Sequence, residues 1–392
     1  MNYIIVGGGP AGTFAAKEIR QKDSTSSISI ISQDSYPFYS RPRVPELISG
    51  KSTINQISIY QRSWYDEKKI ELKLNTIAVS FDSDRKQLKL DGGETMQYEK
   101  LLVATGSLPR RIPVKGSEGK GIYTLSSADD ALRLNLLARQ SKQAIIIGAG
   151  FVGIEAAASM ASLGVEVTVI EVCDRLLPRQ LDTEGSDIIR PRLESLGINF
   201  LLNTIVDEIG DAGSKKVVMT KDGKSVQGDF VLIAAGIVSS IALAKDSGIQ
   251  CNRSIIVNEF MQTDIAGIYA AGDAAEYNGV CYGIWPVSKE QGEIAGKNMA
   301  GEAVRYHGSV PVTFLKIAGI DLASVGTIVC STDTISESIS KSSPSAGIYK
   351  KAIIAKDIFT GAILIGDTKP AIRLKQAIGK DFSNIKGYWE TL

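Results

Sequence analysis

The sequence lacks the features that mark several other classes of protein. It has 392 residues, a net charge of +1, a single histidine and four cysteines. The cysteines lie far apart and form no C-x-x-C pair, at Cys173, Cys251, Cys281 and Cys330. This spacing argues against a local redox disulfide, a zinc ribbon and a secreted disulfide scaffold, and favours buried or incidental thiols. We therefore assign no metal ligands.

Charge and hydrophobicity are also not concentrated anywhere along the chain. The near-neutral balance indicates neither a nucleic-acid partner nor an anionic membrane surface. No apolar run approaches the ~20 residues that a membrane span needs, and the N-terminus predicts a core strand rather than a cleavable signal. We expect a cytoplasmic protein of two or three domains.

A glycine turn follows the first apolar run. Residues 3–6 predict a buried strand, and Gly7, Gly9 and Gly12 follow in G-x-G-x-x-G spacing before a helical stretch over 13–20. In a dinucleotide site the first glycine permits the tight turn, the second admits a pyrophosphate, and the third lets helix and strand pack closely. The N-terminus of the helix then favours bound phosphate. One such turn alone could serve packing only.

The same pattern occurs a second time. Gly148, Gly150 and Gly153 follow the apolar run 144–147 and precede a helical stretch over 154–163. Two further signals recur in the same order, since the hairpin residues Asp91-Gly92 lie 131 positions before Asp222-Gly223, and Ala104–Gly106 lies 130 before Ala234–Gly236. This repetition indicates a duplicated nucleotide-binding domain.

Polar residues follow the strands where a bound ribose is expected. After a second predicted parallel strand at 28–31, Ser32 and Gln33 replace the usual acidic residue, although Ser32 can still hydrogen-bond a ribose hydroxyl. In the second unit the corresponding strand ends in Glu171. A carboxylate there accepts bonds from both ribose hydroxyls and repels a 2′-phosphate, which favours NADH over NADPH. The alternative for Glu171 is a solvated charge at a strand end.

From Thr263 the chain reads TDIAGIYAAGDAAE. With the two glycine turns and the ATG segment at 104–106, the Gly272-Asp273 pair resembles the FAD-dependent pyridine nucleotide oxidoreductases over nearly the whole chain. The resemblance implies an α/β fold with two Rossmann-like, three-layer ββα dinucleotide-binding domains and a small α+β C-terminal domain. It also implies FAD and NADH as cofactors.

The resemblance assigns roles to particular residues. Gly7, Gly9 and Gly12 would hold the FAD pyrophosphate, Asp273 the ribityl or phosphate part of FAD, and Gly148, Gly150, Gly153 and Glu171 the NADH. Further cofactor-binding candidates lie in the neighbouring turns and loops, at Ser32, Gln33, Arg41, Pro42, Ala104, Thr105, Gly106, Gly236, Gly272 and Trp285. A capping-box pattern predicts a helix from Ser288 whose N-terminus, in the family, faces the flavin.

Two charged residues are candidates for a direct part in the reaction. Arg41, followed by Pro42 in the proline-rich loop 36–45, is either a surface-loop cap or a fixed cation beside the flavin. Glu155 lies just inside the second helix and is either a helix-start charge or a group that positions the nicotinamide.

Within the superfamily, the loop YSRPRVPELI and the C-terminal region look like NADH:rubredoxin oxidoreductases and the flavin-binding portion of nitrite reductase large subunits. Ferredoxin reductases commonly have a lysine where this chain has Glu46. Disulfide-reducing relatives carry cysteines on the first helix or in the loop after the second strand, and this chain has none in either. The only histidine, His307, is interpreted as structural rather than as their acid–base group.

The predicted domain organisation follows from these signals. We expect an FAD-binding domain from residues 1–112 and 240–307, an NADH-binding domain from 113–239, and a C-terminal α+β domain from 308–392. In this last unit the runs 319–329, 347–355 and 362–365 predict strands, 370–378 predicts a helix, and serine-rich 331–345 predicts a loop or hairpin end.

The resulting hypothesis is an electron-transfer flavoenzyme without a thiol relay. NADH would pass hydride to flavin N5, and the flavin would pass single electrons to a small carrier protein, with rubredoxin preferred and ferredoxin as an alternative. Scattered cations could steer an acidic carrier, at Arg41, Arg43, Arg110, Arg111 and Lys115. A nitrite reductase component, an NADH oxidase or peroxidase, and a flavin-bound NADH sensor stay open, as does a monomeric or homodimeric state.

Overall fold

The structure, a computed structural model, describes residues 1–328, 336–343 and 346–392. Its first part alternates parallel strands with short helices. The helices are Pro10–Lys22 (α1), Pro45–Ser49 (α2), Ile54–Ile57 (α3) and Arg62–Glu67 (α4), with a 3₁₀ turn at Arg41–Arg43. The strands are Asn2–Val6 (β1), Ser27–Ile31 (β2), Glu71–Lys73 (β3), Ala78–Asp82 (β4), Gln87–Leu90 (β5), Thr95–Gln97 (β6), Lys100–Val103 (β7) and Ser107–Pro109 (β8).

The second part repeats this alternation. Its helices are Ala128–Gln140 (α5), Phe151–Ala161 (α6) and Thr183–Glu194 (α7). Its strands are Ile122–Tyr123 (β9), Gln143–Ile147 (β10), Glu166–Ile170 (β11), Ile198–Leu201 (β12), Val206–Ala212 (β13), Lys215–Thr220 (β14), Ser225–Gly228 (β15), Phe230–Ile233 (β16) and Ile237–Ser239 (β17).

The rest of the chain forms a short mixed segment and then an antiparallel sheet. The mixed segment contains Ala242–Asp246 (α8), Ile255–Val257 (β18), Ile268–Ala270 (β19), Ala275–Tyr277 (β20) and Trp285–Met299 (α9), with a 3₁₀ turn at Gly272–Ala274. The last part contains Val312–Ile317 (β21), Ile320–Gly326 (β22), Ser336–Ser343 (β23), Ile348–Ala355 (β24), Ile358–Ile365 (β25), Ala371–Lys375 (α10) and Ser383–Thr391 (α11).

Two parallel five-stranded sheets that share the order of four strands form the centre of the molecule, and they differ in the origin of the fifth strand, β19 or β9. The first has the order β19-β7-β1-β2-β3 and the second β9-β16-β10-β11-β12. Each is accompanied by a three-stranded antiparallel meander, β4-β5-β6 or β13-β14-β15. The expected α/β fold and the expected duplication are therefore present, including the hairpin turns at Asp91 and Asp222.

The first sheet is completed by a strand from a distant part of the chain. β19 pairs with β7 in parallel, so that residues 268–270 lie beside residues 101–103. The antiparallel ribbon of β8 and β17 places the two chain segments between the sheets side by side, with Pro109 opposite Ile237. The predicted domain boundaries agree in outline with this topology and stay a prediction.

Helices α1 and α9 pack against each other through small residues. A Cβ added at Gly292 would lie 2.2 Å from the carbonyl oxygen of Ala11, and one at Gly296 would lie 2.5 Å from that of Ala15. Such contacts leave no room for a side chain. This close packing fixes the direction in which the N-terminus of α9 points.

The start of α9 differs from the predicted capping box. The helix begins at Trp285, with Pro286 in its first turn, and Ser288 lies inside it. Ser288 Oγ donates to Asp273 Oδ1 (2.9 Å), and Gln291 Oε1 accepts from the Gly272 N–H (2.9 Å). Both side chains are therefore occupied by the Gly272–Ala274 turn rather than by the helix end.

The C-terminal unit is a five-stranded antiparallel sheet, β21-β22-β25-β24-β23, with α10 and α11 packed on it. The prediction of a loop over 331–345 is wrong for 336–343, since these residues form β23 and pair with β24. The edge of β24 supplies backbone hydrogen-bond partners, which outweigh the serine-rich composition. The rest of that serine-rich range and the end of the predicted strand at Val329 lie outside the described residues. No helix in the described ranges is long and apolar enough to cross a membrane.

Gly292→Ala tests the α1–α9 contact. Because the new methyl group would overlap the backbone of α1, we expect a loss of roughly 1–3 kcal/mol in stability and a lower melting temperature. The matched control is Gly387→Ala on α11, where a Cβ meets nothing within 4 Å and helix propensity favours alanine. A Gly292→Ala protein that melts at or above the wild-type temperature would contradict the close packing.

Candidate active site

The parallel sheets bring the predicted site residues to common edges. In the first sheet β1 is followed by Gly7, β2 by Ser32, β7 by Ala104, and β19 by Ala271 and Gly272. In the second sheet the corresponding positions are Gly148, Glu171 and Ala234. Ligands of open α/β sheets bind at the carboxyl ends of the strands. The predicted residues of each unit therefore lie together at the edge where a nucleotide would bind.

The first glycine turn is closed by backbone contacts on two sides. Gly7 has φ +120°, and a Cβ there would lie 2.0 Å from the carbonyl oxygen of Ala104. A Cβ at Gly12 would lie 1.9 Å from the carbonyl oxygen of Gly7. At Gly9, in contrast, a Cβ would meet nothing within 4 Å. The turn is thus packed tightly behind and open in front of the α1 N-terminus.

The second glycine turn has the same geometry. Gly148 has φ +110°, and a Cβ there would lie 2.5 Å from the carbonyl oxygen of Ala234. A Cβ at Gly153 would lie 2.0 Å from the carbonyl oxygen of Gly148, and one at Gly150 would meet nothing within 4 Å. Both turns therefore leave open space where the backbone N–H groups of a helix start are exposed.

Asp273 is held by a set of hydroxyl groups. Its carboxylate accepts from Ser107 Oγ and from Ser288 Oγ, each at 2.9 Å. Its carbonyl oxygen accepts from Ser239 Oγ at 2.6 Å. These bonds connect the turn after β19 with β8, β17 and α9. Ser107 and Ser239 were not predicted from the sequence. Each is a hydroxyl residue within three positions after an A-x-G turn, and this shared position is the signal that could have identified them.

The A-x-G turns lie next to this network. Gly106 and Gly236 have φ +71° and +95°, and a Cβ at either would meet nothing within 4 Å. Thr105 Oγ1 donates to the carbonyl oxygen of Ser240 at 2.6 Å, which ties the first turn to the segment after β17. Both turns therefore leave open space beside their last glycine.

Trp285 begins α9 and packs in an aromatic cluster. Its ring is parallel to that of Phe38, with an interplanar angle of 4° and centroids 6.5 Å apart, and meets Phe14 edge-on at 6.1 Å. Its Nε1 atom is buried and has no hydrogen-bond partner. A buried N–H without an acceptor costs free energy, so a ligand acceptor at this position would be stabilising. The two phenylalanines were missed from the sequence.

Glu171 is buried at the end of β11, and both of its oxygens are held. Oε2 accepts from the Ala149 N–H at 2.6 Å, and Oε1 accepts from the Cys173 N–H at 2.9 Å. The alternative of a solvated strand-end charge does not fit this burial. The carboxylate is thus fixed beside the second glycine turn and keeps lone pairs for further donors.

The candidates that follow β2 lie in different environments. Ser32 is buried, and a Cβ at Gly8 of the first turn would lie 2.9 Å from its Oγ. Gln33 and Pro42 are exposed. The Arg41 guanidinium pairs with Asp34 at 2.7 Å, donates to the carbonyl oxygen of Ser126, and lies over the Tyr39 ring. These contacts hold the Arg41 side chain in place, and both the loop-cap and the flavin-side interpretations of Arg41 stay predictions.

Glu155 lies in α6 with an unsatisfied carboxylate oxygen. Its Oε2 atom is buried and has no hydrogen-bond partner. Burial, and after it the negative charge of Glu46, raises the pKa of Glu155 to about 8. A carboxyl group that keeps its proton near neutral pH can donate a hydrogen bond as well as accept one.

The remaining polar groups form no redox or metal site in the described ranges. Cys173, Cys251 and Cys281 are free thiols, and Cys330 lies outside those ranges. Within them, no three His, Cys, Asp or Glu side chains are grouped to hold a metal ion. His307 is exposed in the segment between α9 and β21.

Both glycine turns lie within the part of the chain that matches a known family. The model of the pyridine nucleotide-disulphide oxidoreductases matches residues 1–294. The chain belongs to this family. The model of the rubredoxin NAD+ reductase C-terminal domain matches residues 311–382. Membership confirms the expected α/β fold and the expected family of FAD- and NADH-dependent oxidoreductases.

Several named members of the family are similar to this chain. An NADH-rubredoxin oxidoreductase of Clostridium acetobutylicum is 33% identical over 97% of this chain and 96% of its own length. An assimilatory nitrate reductase electron transfer subunit of Bacillus subtilis is 35% identical over 96% of this chain, but the chain spans only 49% of that protein. The chain likewise spans 47% of a Bacillus subtilis nitrite reductase.

Solved structures of family members have the same architecture. A NAD-dependent persulfide reductase from A. fulgidus superimposes with a TM-score of 0.90, at 28% identity, over 99% of this chain and 79% of that one. The NADH:rubredoxin oxidoreductase from Clostridium acetobutylicum has a TM-score of 0.81 at 30% identity, and the match covers 100% and 99% of the two chains.

The described residues fit the two cofactors that the family uses. Open space at Gly9 and Gly150 leaves room for a pyrophosphate at each helix start. Two buried groups without partners, Trp285 Nε1 and Glu155 Oε2, are available to a ligand. The roles of the individual residues are proposals, which the two following experiments test.

Gly9→Val and Gly150→Val are expected to separate the two nucleotide sites. Both residues have φ near −75° and extended ψ, so valine fits the backbone and its side chain enters only the open space. We expect Gly9→Val to weaken FAD retention at least about tenfold and Gly150→Val to weaken NADH binding similarly, because each blocks the approach of a phosphate. Bound flavin is measured by absorbance, and NADH binding by anaerobic calorimetry on protein whose flavin is already reduced. If Gly150→Val lost FAD and Gly9→Val retained it, the assignment of the two sites would be contradicted.

Glu171→Gln tests the preference for NADH. The amide keeps the size of the side chain but removes the charge that repels a 2′-phosphate, so the ratio of kcat/KM for NADH to that for NADPH should fall roughly tenfold. The control is Glu166→Gln at the exposed start of the same strand. An unchanged ratio in Glu171→Gln would contradict the ribose-binding role.

Proposed function

We propose that the chain oxidises NADH through FAD and passes the electrons to a small carrier protein. FAD supplies the chemistry, because it accepts hydride at N5 and can release electrons singly. The observation that carries the proposal is the pair of matching glycine turns, each packed behind and open in front. One polypeptide thus offers a site for a resident dinucleotide and a site for a diffusible one.

The residues around the turns supply binding and orientation. Asp273, held by Ser107 and Ser288, is assigned to the ribityl chain of FAD, because its carboxylate keeps lone pairs beyond the two bonds it accepts. Trp285 Nε1, at the start of α9, is assigned as a donor to the flavin ring. The α9 N-terminus adds positive potential, which stabilises negative charge on a reduced flavin. Glu155 is assigned to the nicotinamide side.

Direct transfer from flavin to a carrier fits the distribution of cysteine. α1 contains no cysteine, and neither does the loop from Tyr36 to Pro45. Disulfide-reducing relatives use thiols at these positions, so a thiol relay has no residues to run through here. This supports transfer from the flavin to an external one-electron acceptor.

Rubredoxin is the preferred carrier on grounds of similarity. The C-terminal unit matches the rubredoxin NAD+ reductase C-terminal domain, and the match to the Clostridium acetobutylicum NADH-rubredoxin oxidoreductase covers 96% of that protein. The scattered cations give this choice little support. Arg41, Arg43, Arg111 and Lys115 are paired with carboxylates, and Arg110 Nη2 contacts the carbonyl oxygen of Ile237 at 3.4 Å. Their charges are largely neutralised locally.

A component of a nitrate or nitrite reductase is the second candidate. The Bacillus subtilis relatives of that kind are 35% and 34% identical, but they are about twice as long as the matched region. In that case the acceptor would be a centre on another chain or on a further domain. An NADH oxidase and an NADH sensor are the remaining alternatives, and the lack of a cysteine in the 36–45 loop disfavours the oxidase.

Stopped-flow reoxidation separates these candidates. The protein is reduced with one equivalent of NADH and mixed with oxidised rubredoxin, a ferredoxin, or air-saturated buffer, and flavin absorbance is followed. We expect reoxidation by rubredoxin to be at least about tenfold faster than by oxygen, because transfer to a docked acceptor is effectively unimolecular. If rubredoxin reoxidises the flavin no faster than oxygen does, rubredoxin is excluded as the partner. If every acceptor reoxidises the flavin slowly, the result favours the NADH sensor.

A further inference from the structure

Two carboxylates lie on helices that pack against each other, Glu46 on α2 and Glu155 on α6. Glu155 lies one turn into α6, and its Oε2 atom is enclosed without a hydrogen-bond partner. Glu46 lies in the first turn of α2, and its negative charge acts on Glu155. Burial disfavours the ionised form of Glu155, and the negative charge of Glu46 disfavours it further.

Glu46 is the member of the pair that stays ionised. Arg43 binds it through Nε and Nη2, both at 2.8 Å, and Ser52 Oγ donates to it at 2.6 Å. The hydrogen bonds from Arg43 lower the pKa of Glu46, and so do the hydrogen bond from Ser52 and the charge of Lys51. Partial burial raises this pKa but does not outweigh them. The proton of the pair therefore resides on Glu155, which has no such donors.

The other elements packed against α6 direct their charges elsewhere. On β11, Glu166 accepts from Gln143 of β10, and Glu171, just after the strand, is bound by two backbone N–H groups. On β21, Lys316 pairs with Asp321 at 3.6 Å. Within the described part of the chain, Glu46 is thus the charged group that acts on Glu155.

We propose that Glu46 and Glu155 form a carboxylate pair that holds one proton, on Glu155, and that this pair makes the site discriminate between reduced and oxidised coenzyme. The proposal rests on the function proposed above, in which NADH binds at the second glycine turn with its nicotinamide near Glu155. The pair then acts as a specificity device for the oxidation state of the nicotinamide ring.

The physical reason is the difference in charge between the two forms of the ring. The nicotinamide ring of NADH is neutral, whereas that of NAD+ carries a positive charge. Protonated Glu155 offers the positive ring of NAD+ no charge of its own, and the charge of Glu46, which Arg43 and Ser52 keep ionised, does not change when Glu155 gains or loses its proton. The oxidised product is then released easily. Loss of the Glu155 proton adds an uncompensated negative charge, which attracts the positive ring and retains the product.

Binding measured across pH tests this proposal. Under anaerobic conditions, NADH is titrated by calorimetry into the protein with its FAD already reduced, and NAD+ into the protein with oxidised FAD, so that no hydride is transferred. Both titrations are made at pH 6.5 and pH 9, on either side of the value of about 8 for Glu155. We expect NAD+ to bind roughly three- to tenfold more tightly at pH 9, with NADH changing less than about twofold. Glu155→Gln should remove this pH dependence, and Glu46→Gln should move its midpoint to lower pH.

Glu194→Gln serves as the control, because Glu194 is a half-exposed residue of α7 that pairs with Arg190. It should reproduce the wild-type pH dependence. An NAD+ affinity that does not change between pH 6.5 and pH 9, or that changes equally in Glu155→Gln, would overturn the proposal. The proposal would also be overturned if Glu46→Gln left the midpoint of the pH dependence of NAD+ affinity unchanged.

Thermal melting without coenzyme tests the pair independently of nucleotide binding. A carboxyl group with a raised pKa in the folded state stabilises the fold below its unfolded-state value, and this contribution is lost as the pH rises through about 8. The melting temperatures of Glu155→Gln and of the wild type are compared at pH 5 and at pH 9. Because only the wild type loses this contribution, the difference (variant minus wild type) should be larger at pH 9 by roughly 2 °C or more. No increase would contradict a buried protonated Glu155.

The two experiments also separate two kinds of failure. If neither coenzyme binds but the melting difference appears, the carboxylate pair exists and the proposed function is wrong. If both coenzymes bind with no dependence on pH and the melting difference is absent, the proposed function stands and the pair does not.

Discussion

The close approach of backbone to backbone at each glycine turn determines the arrangement of the site. At Gly12 and Gly153 the helix lies so near the preceding turn that a single methyl group would overlap a carbonyl oxygen. This contact brings the start of α1 or α6 directly over the end of a central strand. The exposed N–H groups at that helix start then face the space beyond the sheet edge, where the second glycine of each turn leaves room.

Everything else in the site is positioned relative to those two contacts. The A-x-G turns press against Gly7 and Gly148 from the neighbouring strands, and the turn at Gly272 is held by Gln291 of α9. The packing of α9 on α1 through Gly292 and Gly296 completes this framework. Two solved structures at 28% and 30% identity have the same overall architecture, with TM-scores of 0.90 and 0.81.

The sequence was sufficient for the features that depend on local chemistry. Strand, glycine turn and helix follow directly from apolar runs and from positions where only glycine fits, and the repetition of that order predicts the duplicated unit. The place of Glu171 follows from the length of one βαβ unit. Each strand–turn–helix unit, together with the strand that follows it, is determined within about 30 residues of chain.

The features that the sequence did not predict depend on contacts between distant segments. Ser288 and Gln291 resemble a capping box, but their partners are Asp273 and Gly272, which lie on another element. Strand β23 has the composition of a loop and pairs because β24 has an available edge. The raised pKa of Glu155 needs both its burial and the charge of Glu46, and these residues are more than 100 positions apart.

The central claim is that one chain binds FAD at its first glycine turn and is reduced by NADH bound at its second. The direct measurement is the visible spectrum of the purified protein under anaerobic conditions, before and after one equivalent of NADH. The account predicts flavin absorbance that is bleached by NADH. A protein that stays colourless after reconstitution with FAD, or a yellow protein whose spectrum NADH does not change, would contradict it.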